Sequence, residues 1–186
     1  MSFVLLFLCT GNQCRSPLAA GLTRQRLQGD DVIVRSAGLL RGGQAVPAEG
    51  LRIASGYGLD LSGHVSRRFD AELAADADLV LTMTNAQARE VVTSQPDVWP
   101  RVFTIKSFVR WLGSQQVPSE GLSRAWLNSA GASRAPHELL GSSPAAEVED
   151  PMGRSLRTWR RVATELSDLV DRVVPALPAH HGVPAG

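Results

Sequence analysis

The sequence predicts an α/β fold: a single-domain parallel sheet flanked by helices, with a ligand loop between the first strand and the first helix. Three observations carry this expectation. Phe3-Val4-Leu5-Leu6-Phe7-Leu8 is apolar at every position, as in a strand buried on both faces of a parallel sheet. Further along, short β-rich runs alternate with stretches of helical periodicity, the order that lays helices on the faces of such a sheet. A chain of 186 residues, 44% hydrophobic and 20% charged, can bury one sizeable core without membrane-like or disordered composition.

Taken in order, the strand Phe3 to Leu8 runs into Cys9-Thr10-Gly11-Asn12-Gln13-Cys14-Arg15-Ser16-Pro17. Gly11 lets the backbone curl, Ser16 suits a helix N-cap and Pro17 the first helical position, so a helix is expected over Leu18 to Leu27. Val32 to Arg35, Leu79 to Met83 and Val102 to Ile105 read as the remaining strands, and Ala48 to Gly56, Asn85 to Thr93 and Lys106 to Leu112 as helices. The last helix is marked by Leu156, Trp159, Val162, Ala163, Leu166, Leu169, Val170 and Val173 at helical spacing. Between them Gly113 to Ala146 is rich in Ser, Gly, Ala and Pro and is expected to be an irregular insertion, in which Trp126 and Leu127 either pack back or meet a partner. The domain is placed at residues 1–174, and 175–186 is expected to be a disordered tail. His180 and His181 in that tail are weak grounds for a metal site.

The loop after the first strand carries the chemistry. Inward-pointing N–H groups from Thr10 to Ser16, at a helix N-terminus, make a cradle for a tetrahedral oxyanion. Cys9 lies at one end of it, where those N–H groups, the helix dipole and Arg15 favour thiolate over thiol. The planar Arg15 fork can hold two equatorial oxygens of a phosphoryl group, and the Ser16 hydroxyl can stabilise Cys9 as a leaving group. A nucleophilic thiolate beneath a bound phosphate needs an acid to protonate the leaving atom. Asp150, in Glu147-Val148-Glu149-Asp150-Pro151, is the candidate. Crowding by Glu147 and Glu149 is expected to help it hold a proton, with Glu149 as the fallback acid. Because the insertion leads directly into Asp150, its order is expected to govern how the acid reaches the cradle.

The string Cys-Thr-Gly-Asn-x-Cys-Arg-Ser-Pro closely resembles the low-molecular-weight protein tyrosine phosphatases. Val34-Arg35-Ser36-Ala37-Gly38, Leu61-Ser62-Gly63-His64, Asp78-Leu79-Val80-Leu81-Thr82-Met83, Arg101-Val102-Phe103-Thr104 and Asp150-Pro151 extend the resemblance over nearly the whole chain, the insertion and tail apart. The resemblance implies a phosphocysteine mechanism with Cys9, Arg15 and Asp150 as catalytic residues and phosphate held by Thr10, Gly11, Asn12, Gln13, Cys14, Arg15 and Ser16. It also implies that Asn12 fixes the cradle, that Ser36 and His64 support it, and that Cys14 traps oxidised Cys9 as a reversible disulfide. Phosphotyrosine enzymes of the family carry a branched aliphatic residue at the position of Gln13 and aromatics after Asp-Pro, where this chain has Met152. The protein arginine phosphatase branch shares Val32-x-Val34-Arg35-Ser36-Ala37-Gly38, the run from Ala77 to Thr84 and Asp150-Pro151-x-Gly153, but has threonine at Gln13.

The expected activity is therefore phosphotyrosine hydrolysis on phosphorylated proteins, with protein arginine phosphatase or external-thiol-dependent arsenate reductase as alternatives. A phosphate-binding module without turnover ranks last. Arsenate reduction through an internal cysteine relay is disfavoured, since no cysteine follows Cys14. No cofactor and no metal are implied. Two cysteines, both in the loop, exclude a disulfide framework and fit a reducing compartment. A formal charge of +1 gives no case for nucleic acid or an anionic membrane as main partner. The first strand is too short and lacks the basic leader of a secretory signal, so a cytoplasmic location is expected.

Overall fold

The computed structural model describes residues 2–27, 29 and 31–178. Four strands form one parallel sheet: β1 (Phe3–Cys9), β2 (Val32–Gly38), β3 (Leu79–Thr82) and β4 (Val102–Thr104), in the order β2-β1-β3-β4. β1 pairs with β2 from Phe3–Val32 to Cys9–Gly38 and with β3 from Leu5–Leu79 to Leu8–Thr82. Strand order therefore reverses at β1, and the crevice beyond its carboxyl end is where such sheets take ligands. The Cys9 loop occupies that crevice.

Every residue of β1 is buried because the sheet is covered twice. Leu5, Phe7 and Cys9 face one core, and Val4, Leu6 and Leu8 face the other, the two-residue period of a strand. Onto the first face pack α1 (Arg15–Arg26), α2 (Ala48–Gly56), α5 (Ile105–Leu112) and α7 (Leu156–Val173). α3 (Ala71–Asp76) and α4 (Asn85–Ser94) cover the second. The buried stripe of α7, Trp159, Val162, Ala163, Leu166, Leu169, Val170 and Val173, matches the expected face apart from Leu156. At roughly 1.5–3 kcal/mol per fully buried large apolar side chain, it is a principal anchor of the first face.

The insertion is more ordered than its composition suggests. It contains α6 (Arg124–Gly131) and a 3₁₀ turn at Pro136–Leu139. Trp126 packs back on Trp111, ring centroids 5.4 Å apart, and Leu122 and Leu127 enter the first core. Arg134 reaches the edge strand β4: its guanidinium lies 3.6 Å over the Phe103 ring and 4.3 Å over Trp99, and Nη1 donates to Val102 O at 2.9 Å. The tail also differs from expectation. Val174–Ala176 is a 3₁₀ turn, Leu122 N donates to Ala176 O (2.8 Å) and Leu177 is buried, so the packed chain extends past residue 174. Residues 179–186, with His180 and His181, lie outside the described residues. No helix among the described residues is long and apolar enough to cross a membrane, and none of their acid, histidine and cysteine side chains forms a metal-binding group of three.

Candidate active site

The loop Cys9–Arg15 connects β1 to α1, and one asparagine organises it. Asn12 has φ 51°, the left-handed region, and is the only non-glycine among the described residues with positive φ. Asparagine tolerates that conformation better than most residues, and the local bonds of its side chain offset the cost. Its Nδ2 donates to Ser16 Oγ and to Ser36 Oγ, each at 2.9 Å, while its Oδ1 accepts from Arg67 N at 2.8 Å. His64 Nε2 lies 2.8 Å from Asn12 O. Ser36 and His64 thus both meet the loop at Asn12. The tight curl falls at Asn12 and not, as expected, at Gly11, whose φ is not positive.

Cys9 lies at the floor of this arrangement, almost fully buried. Asn12 N–H donates to its Sγ at 3.2 Å, and Ser16 Oγ lies 3.0 Å from it. The expected N-cap role of Ser16 is not found. α1 starts at Arg15, with Cys14 as N-cap and no side-chain capping bond, and Ser16 is already helical. Its hydroxyl, held by Asn12 Nδ2, is committed to the Cys9 sulfur and more distantly to Ala37 O (3.3 Å). Pro17 lies in the first turn, where a missing N–H leaves no helix bond unmade.

Gly38, which ends β2, lets the two loops meet. A Cβ there would stand 2.7 Å from Asn12 N, 2.8 Å from Gly11 C and 2.9 Å from Thr10 O. Thr10 Oγ1 accepts from Gln87 Nε2 at 3.0 Å, and Gln87 Oε1 in turn accepts from Met83 N (2.9 Å) and Thr84 N (3.2 Å). Gln87 therefore ties the capping box of α4 to the cradle. It was not anticipated, although Thr84-x-x-Gln87 carries that box openly. Gln13 is half-buried, its carboxamide lying against Gly11.

Arg15 is 3% exposed, and its fork reaches the segment before α7. Nη1 donates to Val148 O at 3.1 Å and Nη2 to Asp150 Oδ2 at 2.5 Å, while Nε is buried without a partner among the described atoms. Asp150, 45% exposed, also accepts from Met152 N at 3.1 Å and lies 3.9 Å from Cys14 Sγ. Burial, then the Cys9 sulfur and the Asp150 carboxylate, push the Cys14 thiol from 9.0 up to about 12, against the opposing pull of Arg15. Near neutral pH the Cys14 side chain is therefore a thiol and not a thiolate.

The expected crowding of Asp150 by its neighbours is not found. Glu147 Oε1 accepts from Asn85 N at the start of α4 (3.1 Å), and Glu149 is ion-paired with Arg161 on α7. The fallback acid is thus engaged elsewhere. Arg15 and Asp150 border a cleft of about 840 Å³ together with Thr10, Gln87, Lys106 and Glu165.

The sequence profile of the family described as low molecular weight phosphotyrosine protein phosphatase matches residues 4–121. The low molecular weight protein-tyrosine-phosphatase Etp of Escherichia coli K12 is 36% identical over 116 residues, 61% of this chain and 74% of its own length. The protein-arginine-phosphatase of Geobacillus stearothermophilus is 27% identical over 178 residues, 95% of this chain and 97% of its own. A crystal structure of the low molecular weight protein tyrosine phosphatase from T. tengcongensis superposes with a TM-score of 0.71 at 31% identity, covering 95% of this chain and all of that one. With the cradle inside the matched span and the fold shared along nearly the full length, the chain belongs to the low molecular weight phosphotyrosine protein phosphatase family.

Proposed function

We propose that the protein hydrolyses phosphotyrosine monoesters on phosphoproteins through a phosphocysteine intermediate. The observation that carries the reading is the position of Cys9 Sγ, 3.2 Å from Asn12 N and 3.0 Å from Ser16 Oγ, at the floor of a loop whose next arginine holds Asp150. The Cys9 thiolate attacks phosphorus, the P–O bond to tyrosine breaks, and Asp150 gives its proton to the leaving oxygen. The loop N–H groups, and the Arg15 fork as it turns from Asp150 to the phosphoryl group, hold the equatorial oxygens. In the second half-reaction water attacks phosphorus, Asp150 takes its proton, the S–P bond breaks and Cys9 departs as thiolate, stabilised by the Ser16 hydroxyl. Asn12, Ser36 and His64 act by holding the loop. Because an oxidised Cys9 cannot attack, a reducing, cytoplasmic setting suits this chemistry.

A second reading, phosphoarginine hydrolysis, draws support from the near-full-length likeness to a protein-arginine-phosphatase and from the polar Gln13 at the cradle rim. The deciding experiment compares kcat/KM for phosphate release from phosphotyrosine and phosphoarginine peptides of matched sequence, with Cys9→Ser as blank. Preference for phosphotyrosine supports the proposal. Preference for phosphoarginine replaces it, and release equal to the blank from both overturns it and directs attention to arsenate with an added thiol.

A further inference from the structure

Residues 140–150 form a strap between the 3₁₀ turn at Pro136–Leu139 and the start of α7, and Asp150 lies at its far end. Ser142, Pro144 and Glu147 to Asp150 make it one wall of the cleft. From Gly141, in the left-handed region at φ 72°, to Ala146 no side chain of the strap is buried. The amide bonds seen there are internal, Ala146 N to Ser143 O (2.8 Å) and Ala145 N to Ser143 Oγ (3.3 Å). The middle of the strap is held from outside by cations on α5. Lys106 Nζ donates to Pro144 O at 2.9 Å, and Arg110 Nη2, one turn on, donates to Ala145 O at 2.6 Å. Lys106, the sole lysine of the chain, is itself fixed by an ion pair with Glu165 of α7. Arg89 of α4 holds the near end through Leu139 O and Gly141 O.

We propose that Lys106 and Arg110 are positioning residues for the acid, keeping the strap in the place from which Asp150 reaches the leaving oxygen. The far end is held at the cradle by the Arg15 fork on Val148 O and Asp150, and outside it by Val148 N donating to Met83 O (2.9 Å), Asn85 N donating to Glu147 Oε1 (3.1 Å) and the Glu149–Arg161 ion pair. A phosphoryl group in the cradle draws on that same fork, so the Arg15 hold weakens at the moment when the acid is needed. The α5 cations lie outside the cradle and keep theirs. Without them the middle of the strap, Gly141 to Ala146, loses its hold on α5 and loosens, so proton delivery weakens while phosphate binding persists.

The inference rests on Asp150 being the acid, and the experiment separates the two. In the full chain, kcat/KM is measured for p-nitrophenyl phosphate, whose leaving oxygen departs readily unprotonated, and for phenyl phosphate, whose leaving oxygen needs the proton. The variants are Lys106→Met, Arg110→Met, the double variant, Lys106→Arg and Asp150→Ala. In the double variant kcat/KM for phenyl phosphate should fall ~10–100-fold and for the nitrophenyl ester less than ~3-fold, a partial loss of general-acid catalysis. Vanadate inhibition should be unchanged, Lys106→Arg should keep most of the activity that Lys106→Met loses, and amide exchange at Ala145 and Ala146 should quicken in both single variants. Equal losses on both esters, or no loss while Asp150→Ala discriminates between them, would overturn the positioning role and leave the acid in place. An Asp150→Ala variant that does not discriminate would remove the acid assignment and this inference with it.

Discussion

Arg15 and Asp150 stand 135 residues apart in the chain and share a charge-assisted hydrogen bond of 2.5 Å, Arg15 Nη2 to Asp150 Oδ2. One guanidinium thus serves two parts of the site. It anchors the segment that carries Asp150, the proposed acid, through Val148 O and Asp150 itself, and it stands at the cradle that would take a phosphoryl group. Under the proposed function a phosphoryl group and the carboxylate would compete for one fork, which would couple anion binding to release of the acid.

That competition gives Asp150→Ala a double signature. The kcat/KM for phenyl phosphate should fall ~10²–10⁴-fold, the usual range for loss of a general acid. Inorganic phosphate should inhibit the variant at lower concentration than it inhibits the parent, because Arg15 is free and a carboxylate has left the rim. Steady-state kinetics with phosphate as competitive inhibitor reads both, and weaker phosphate inhibition in the variant would show that the pair does not compete with the anion.

Asn12 should be sensitive to backbone and side chain separately. Asn12→Gly and Asn12→Ala both delete the bonds to Ser16, Ser36 and Arg67 N, but only alanine must also hold φ at 51°. Alanine should therefore be the less stable of the two by about 1 kcal/mol, the scale of the left-handed penalty. Urea unfolding of the two variants measures it, and equal midpoints would mean that the loop relaxes out of the left-handed region. Both should lose activity, because Ser16 is no longer steadied against Cys9.

Gly38→Ala should cost activity more than stability. Its Cβ would meet Asn12 N, Gly11 C and Thr10 O at 2.7 to 2.9 Å, and all three are cradle backbone that no rotamer change can move aside. Overpacking of this kind costs typically ~1–3 kcal/mol, while the displaced N–H groups should raise KM and lower kcat together. A folded Gly38→Ala with parental kinetics would show that the cradle tolerates the shift.

The parts legible in the sequence were those with long periodicity or unusual residue strings. β1 is apolar throughout and α7 repeats its apolar face over 18 residues, so for both the expected and observed bounds nearly coincide. α3 was not, because six residues with only Leu73 and Ala74 buried leave no period to detect; its signal was Asp70, whose carboxylate caps Leu73 N. Arg134 was hidden for a different reason. An arginine in a Ser/Gly/Ala-rich stretch reads as surface, and it is buried here because Phe103 and Trp99, distant in sequence, give it aromatic faces. Glu147 and Glu149 flank Asp150 in sequence but do not crowd it in space, because Asn85 N at the start of α4 and Arg161 on α7, partners outside the segment, engage their carboxylates. Ser16 had the composition of a cap, but the sulfur of Cys9 claims its hydroxyl.

Cys14 sets the behaviour of the protein at high pH. Its thiol is raised in the fold from 9.0 to about 12, chiefly by burial, whereas in the unfolded chain it titrates near 9.0. Above pH 9 the unfolded chain releases this proton and the folded chain does not, so the unfolded state binds fewer protons and stability falls as pH rises. The contribution is fully present below pH 9 and is lost progressively up to about pH 12, by at most ~4 kcal/mol for a shift of this size. Cys14→Ala removes the titration, so its stability measured by urea unfolding should fall less steeply than that of the parent from pH 8 to pH 10.5. Alkylation gives an independent reading. In the folded protein at pH 8, Cys14 should react with iodoacetamide far more slowly than a free thiol, and the rate should rise to the ordinary value in urea. Parallel stability profiles for parent and Cys14→Ala would mean that Cys14 ionises in the fold as it does in the open chain.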